Sequence, residues 1–273
     1  MKTLLYILIS SIFLISCNSA NTKNGDSPTT AVTEPQHSDD EQTTKYPMPD
    51  DIVYLGFSDE TLLDSSNMED ISENEYDKYK KIYRTKFITD SSYIHTNPTK
   101  DSIAIKVMGK QVVYPTFDIM TNTDKYPKWW VQYKGYIPDL RLYILEDWGS
   151  GEMLIGASTW VDSLTNIHYL MDSGTDGPVS PPIVSPDNKF LVFFTTYEYS
   201  DNIPSVFIIK INNENGIYSY ANYSSLKLNN SADDNNEKSC SEVIWADDKT
   251  FLLKIETNDN NFCYKRVTIK EEK

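Results

Sequence analysis

Hydrophobic positions along this chain come in short runs, broken every few residues by Asn, Asp, Ser, Pro or Gly. Runs of that length, rich in aromatic and β-branched side chains, predict strands. The densest is Phe190-Leu191-Val192-Phe193-Phe194, with no polar interruption, which predicts a strand buried on both faces. Pro186-Asp187-Asn188 in front of it supplies turn chemistry: Pro presets φ, and the Asp and Asn side chains bond the local backbone. Elsewhere the pattern alternates. Ile103, Ile105 and Val107 alternate with Ala104 and Lys106, and Gly109-Lys110 predicts a two-residue type II′ hairpin returning through 111–117. Strands are also predicted over 52–57, 129–136, 140–144, 153–160, 166–170, 206–211 and 217–221, with a closing meander over 240–246, 250–257 and 262–269. Asp147-Trp148-Gly149-Ser150-Gly151 reads as a turn.

One stretch has a helical period. Ser72 with Glu75 three residues on forms a capping box, and Tyr76, Tyr79 and Ile82 or Tyr83 follow at helical spacing. The helix is predicted over 73–83, its tyrosine stripe facing the core.

The Ser185-Pro186-Asp187 turn has a weaker copy. Ile244-Trp245-Ala246-Asp247-Asp248-Lys249-Thr250-Phe251-Leu252 repeats an apolar approach, an acidic turn and a second apolar run. Aligning Asp187 with Asp248 places Phe190 on Phe251, an offset of 61 residues. The pattern resembles the Ser-Pro-Asp-x-Lys-x-Leu turns of β-propeller blades related to the WD-type repeats, over residues 181–269. The expected fold is all-β and mainly antiparallel, a propeller or partial propeller with one short N-terminal helix; a β-sandwich is the alternative. About fifteen predicted strands, at four per blade, come nearer to four blades than five.

The first residues carry an address. Lys2 precedes an apolar stretch from Leu4 to Ile15, too short to span a bilayer, and it ends Leu14-Ile15-Ser16-Cys17. That ending resembles the lipobox of bacterial lipoproteins. The resemblance implies cleavage after Ser16, a lipid on the Cys17 thiol and acylation of the new N-terminus. Asn18 stands where some bacteria use Asp to hold lipoproteins in the inner membrane, which points to the outer membrane. Behind the lipobox, a composition rich in Asn, Lys, Tyr and Ile is similar to that of lipoproteins common in Bacteroidota. Residues 17–46, rich in Asn, Thr, Ser, Pro and acids, are expected to be a tether, and 47–273 one β-rich domain.

Charge narrows the partners. The net charge is −15, and loss of Lys2 with residues 1–16 makes it −16, which disfavours nucleic acid. The expected partners are the membrane, through the lipid on Cys17, and an envelope protein or a polysaccharide. Export makes a Cys240–Cys263 disulfide the first expectation. The strand reading opposes it. In the predicted meander both cysteines sit opposite about Glu256, on either side of the central strand, and two strand spacings of roughly 9–10 Å exceed the reach of a bridge.

Chemistry is sparse. His37, His95 and His168 lack ligand spacing, and no nucleophile elbow or phosphate loop is present. No cofactor and no catalytic residue is assigned. Asp172 to Gly177 loosely resembles a calcium loop, and Asp233, Asp234 and Glu237 form an acidic cluster; both read as solvated loops. A carboxylate pair for hydrolysis is a matter of distance in space. The densest feature is aromatic. Trp129, Trp130, Trp148 and Trp160 fall close together, and flat rings beside acids are what sugar-binding surfaces use. Trp148, in its Gly-rich turn, is expected to be the most exposed. The function these signals suggest is a non-catalytic binding module of the envelope, with a glycan-binding accessory lipoprotein and a carboxylate-dependent hydrolase as alternatives.

Overall fold

Apolar runs pair into four sheets whose faces alternate as the sequence does. The computed structural model describes residues 51–56, 67–96, 101–118, 127–150, 154–171, 179–195, 205–228, 238–257 and 261–270. β1 (Asp51–Leu55) and β2 (Met68–Ile71) come first, then α1 (Glu73–Ile82). β3 (Ile94–Thr96), β4 (Ser102–Val107) and β5 (Lys110–Pro115) form a three-stranded sheet. β6 (Trp129–Ile137), β7 (Leu142–Ser150), β8 (Leu154–Asp162) and β9 (Ile167–Met171) form the next, with β1 added at its edge. β10 (Ile183–Val184), β11 (Phe190–Phe194), β12 (Ser205–Glu214) and β13 (Ile217–Lys227) form the third. β14 (Lys238–Trp245), β15 (Thr250–Thr257) and β16 (Phe262–Thr268) form the last, completed by β2. The fold is all-β and mainly antiparallel, with a single α-helix among the described residues.

The sheets stack in chain order. Ile105 and Val107 of the first pack on Val131, Tyr143 and Leu145 of the second. The other face of the second, with Leu142, Ile144 and Trp160, packs on Leu191, Phe193, Phe207 and Tyr223 of the third. Phe190, Val192 and Phe194 point the opposite way, onto Val243, Trp245, Phe251 and Leu253 of the last sheet. This explains the uninterrupted apolar run of β11: both of its faces are interior, and each such side chain contributes roughly 1.5–3 kcal/mol on burial. Three separate interfaces rule out the two-layer sandwich. Among the described residues no core cluster joins the first sheet to the last.

The far face of the last sheet is closed by α1. Ser72 Oγ accepts from Glu75 N–H at 3.2 Å, the predicted cap, while Glu73 and Glu75 open the helix and Lys80 and Lys81 close it, in accord with its dipole. Tyr76 is buried against Ile244, Leu252 and Tyr264. Tyr83, not Ile82, continues the stripe; Ile82 is exposed. Arg266 on β16 pairs with Glu69 of β2 and Glu75 of α1 at once. Lys265 pairs with Asp70 at 2.7 Å and Lys80 with Glu242 at 2.6 Å.

Several expectations are corrected. β1 lies parallel to β9, Asp51 opposite Ile167 and Leu55 opposite Met171, a pairing the sequence pattern does not indicate. The segment 147–150 is not a turn but the end of β7, paired through Ser150 with Leu154. The β4–β5 hairpin turns on Met108-Gly109, not Gly109-Lys110: Val107 pairs with Lys110, and both central residues have positive φ (50° and 77°), a type I′ turn. Cys240 and Cys263 both lie opposite Ile255, on either side of it, and both are free thiols. The bridge is thus absent, for the two-strand separation anticipated. At Gly135 a Cβ would meet Phe87 Cζ at 2.3 Å and the Ile88 carbonyl oxygen at 2.7 Å. That residue sits at a bulge between Tyr133 and Gly135, where Ile88 bridges to Tyr136.

Candidate functional site

The four tryptophans do not form a surface. Trp130 and Trp160 are fully buried and Trp148 is only 9 % exposed, because 148 is a mid-sheet position flanked by Trp130 and Gly156. Trp130 stacks on Trp148, rings 6.4 Å apart and nearly parallel, with Phe117 alongside. Trp160 is edge-on to Phe193 and Tyr220 between sheets. Trp129 alone is half-buried. It hydrogen-bonds Asp147, which also accepts from Thr159 Oγ1; burial raises the Asp147 carboxyl and these two bonds lower it, burial dominating.

The acids are dispersed. Glu146 and Asp147 are neighbours on β7 and so address opposite faces. Glu146 pairs with Lys134 at 3.0 Å. Glu69 and Glu75 are close, but both are held on Arg266. Among the described residues no group of three or more His, Cys, Asp or Glu is placed to hold a metal ion. His168 is buried in β9, and His95 is exposed on β3. Residues 172–177, Asp233, Asp234, Glu237, His37, Cys17 and the 17–46 segment lie outside the described residues.

What the fold does bring together is a set of turns. The β4–β5 turn, the β6–β7 turn over 138–141, the β8–β9 turn over 163–166, the β10–β11 turn over 185–189 and the β12–β13 turn at 215–216 gather at one end of the stack. Hydrogen bonds tie them across sheets. Met108 N–H donates to the Ser163 carbonyl at 2.8 Å, and Ser163 N–H to the Arg141 carbonyl at 2.9 Å. The Arg141 guanidinium donates to the Gly216 carbonyl and lies over the Tyr218 ring, 5.4 Å from its centroid. Lys86 pairs with Asp139 at 3.2 Å and donates to the Pro186 carbonyl at 2.8 Å.

Every residue with positive φ among the described ones sits in these turns: Met108, Gly109, Arg141, Asn166, Asn188, Asn215 and Gly216. Asn and Gly tolerate that conformation; Met108 and Arg141 adopt it at a cost in steric strain. Beneath the turns Asp162, 1 % exposed, accepts from Leu164 N–H at 2.7 Å and so shapes the 163–166 turn. Met108, Leu164 and Ile217 stand in or directly beside these turns, and each of the three apolar side chains is about half exposed.

Sequence reading did not single out these residues. The Asn215-Gly216 dipeptide is a strong type I′ hairpin signal that was there to be used. Nothing local marks Arg141 or Met108 as left-handed.

Comparison with family models, curated proteins and solved structures finds no match for this chain. No helix among the described residues is long and apolar enough to cross a membrane.

Proposed function

We propose that this chain is a lipid-anchored protein of the cell envelope that works by binding. On this reading residues 1–16 are a signal peptide, Cys17 carries the lipid in the outer membrane, 17–46 tether it, and 47–273 bind through the end formed by the tight turns. The observation that supports this most is the seam itself. Three sheets contribute Met108, Leu164 and Ile217 to one hydrogen-bonded end, and conformational strain at Met108 and Arg141 is kept there. Scattered apolar side chains on a surface need no explanation; a tied group of them does.

The test is photocrosslinking in cells. A photoreactive residue at 164 or 217 is expected to capture an envelope component, protein or lipid, while the same residue at Phe262, also exposed, captures none. Equal capture at all three positions, or none, would sink the reading.

Glycan binding keeps one observation in its favour: the half-buried Trp129 next to exposed Lys128. Oligosaccharides should then quench tryptophan emission, and Trp129→Phe should abolish the response; unchanged emission across a broad panel removes this alternative.

A further inference from the structure

The sheets meet in consecutive pairs, each pair through its own core cluster. In a stack of that kind stability is a sum over layers and nearest-neighbour contacts, and an end layer is free to open by itself. The last sheet has α1 on its far side. Among the described residues the first sheet shares a core cluster with the second sheet alone. It is the layer that such a stack loses first.

One stretch of chain crosses every layer. Arg84 fixes its exit from α1, the guanidinium donating to the Lys81 carbonyl at 2.9 Å and to the Tyr83 carbonyl at 2.7 Å. Tyr83 packs on the cluster between the third and last sheets and on the cluster under the helix. Lys86 Nζ donates to the Pro186 carbonyl at 2.8 Å and to Asn188 Oδ1 at 2.5 Å, both in the β10–β11 turn of the third sheet. It also pairs with Asp139, in the β6–β7 turn of the second sheet, at 3.2 Å. These ties engage all three donors of the ammonium group. Phe87 enters the core between the same two sheets, in the space a side chain at Gly135 would fill. Ile88 and Tyr136 exchange both backbone hydrogen bonds, at 2.9 and 2.8 Å. The Asp90 carbonyl accepts from the Tyr133 hydroxyl at 3.4 Å. Tyr93 packs on the cluster between the first and second sheets and stacks on Tyr136, rings 4.4 Å apart. β3 of the first sheet follows at Ile94.

We infer that residues 83–93 are a clamp that makes the first sheet open only when the whole stack opens. The segment touches all four core clusters. Between α1 and the short turn at 91–93 it forms a single isolated bridge, Ile88 to Tyr136. Its path is therefore set by the sheets it crosses, and movement of one sheet is passed to the others along it. Lys86 is the middle anchor, because one ammonium group joins turns of two sheets.

The experiment is native-state hydrogen exchange with mass spectrometry on the full chain, over a urea series below the unfolding transition. In the parent, the amides of β4 and β5 are expected to open with the same urea dependence as those of β7 and β11. None of the Lys86 ties reaches the first sheet. Lys86→Ala is nonetheless expected to let β4 and β5 exchange on the order of tenfold faster than β7 and β11, the size of one lost charge-assisted hydrogen bond. Lys189→Ala removes an ion pair in the same β10–β11 turn without touching the clamp, and β4 and β5 should then still open with the rest. Separate opening of β4 and β5 in the parent overturns the clamp, and this profile decides by itself if Lys86→Ala does not fold. A Lys86→Ala effect confined to the 138–141 and 185–189 turns, or spread equally over all four sheets, overturns it as well.

Discussion

The carbonyl oxygens of Lys189 and Lys249 occupy equivalent places in consecutive sheets: the first accepts from Ile211 N–H at 2.8 Å, the second from Ile269 N–H at 2.9 Å. Each lysine N–H in turn donates to an aspartate two residues before it, Asp187 at 3.2 Å and Asp247 at 2.8 Å. The equivalent offset after the turn is therefore 60 residues. The faces agree: Leu191 and Phe193 point to the preceding sheet, as Phe251 and Leu253 do. Aligning Asp187 on Asp248 slips the register by one and sends every following side chain to the wrong face. Before the turn Val184 matches Trp245, an offset of 61, so the second turn is one residue shorter.

The longer turn depends on a buried hydroxyl. Ser185 is fully buried, and its Oγ accepts from Lys189 N–H and Phe190 N–H, both at 3.0 Å, while donating to Asp187 at 2.8 Å. Ser185→Ala removes the acceptor of the buried Phe190 N–H and should cost about 1–3 kcal/mol, read as a lower urea midpoint. Ser241→Ala, at an exposed bond to the Lys254 carbonyl, should change the midpoint little.

Gly135 faces a harder limit. Gly135→Ala drives a methyl into the Phe87 ring and the Ile88 carbonyl, and backbone cannot give way as a side chain can. A loss of roughly 1–3 kcal/mol is expected from overpacking. Loss of protection at the Ile88 and Tyr136 amides in hydrogen exchange would place the damage at this bridge; unchanged protection would refute the account.

Asp147 gives a pH dependence with a definite sign. Burial raises its carboxyl above the ordinary aspartate value, so the native state binds the proton more tightly than the unfolded chain. Its contribution to stability is present at low pH and falls as pH rises from about 4 through the raised value. Asp147→Asn should remove that fall. The difference between the two proteins in urea midpoint should shift towards the variant between pH 4 and pH 7; a shift towards the parent contradicts the sign. Asp187 acts oppositely, since bonds from Ser185 and Lys189 lower its carboxyl, and its contribution is lost as pH drops below the aspartate range.

The thiols should differ in reactivity. Burial pushes the Cys240 thiol up to about 12, so at neutral pH it offers almost no thiolate. Cys263 is partly exposed. Alkylation of the native protein should mark Cys263 first and Cys240 only on unfolding, and non-reducing mass spectrometry should find no bridge between them. Equal labelling rates would contradict the burial.

Local signals made much of the fold legible. The cap at Ser72, the apolar run of β11 and the final meander stand where their residues place them, because each depends on neighbours a few positions away. Even the cysteines were misplaced only from Glu256 to Ile255; for Cys240 the difference is a bulge between Cys240 and Glu242. What stayed hidden depends on distance along the chain. β2 pairs with β16 across some two hundred residues, Glu69 opposite Arg266, and β1 runs parallel to β9. Trp148 was misjudged because its Gly and Ser neighbours look like a turn, whereas burial between sheets decided its conformation. The end surface combines residues from three sheets, and no window of sequence contains it.

The parallel pairing of β1 with β9 sets how the domain bears load. A pull on Asp51 along the strand axis loads β1 against β9. All five residue pairs from Asp51–Ile167 to Leu55–Met171 then share the force in shear and must slide together. The first described strand thus resists a pull along its axis as one unit of five residue pairs.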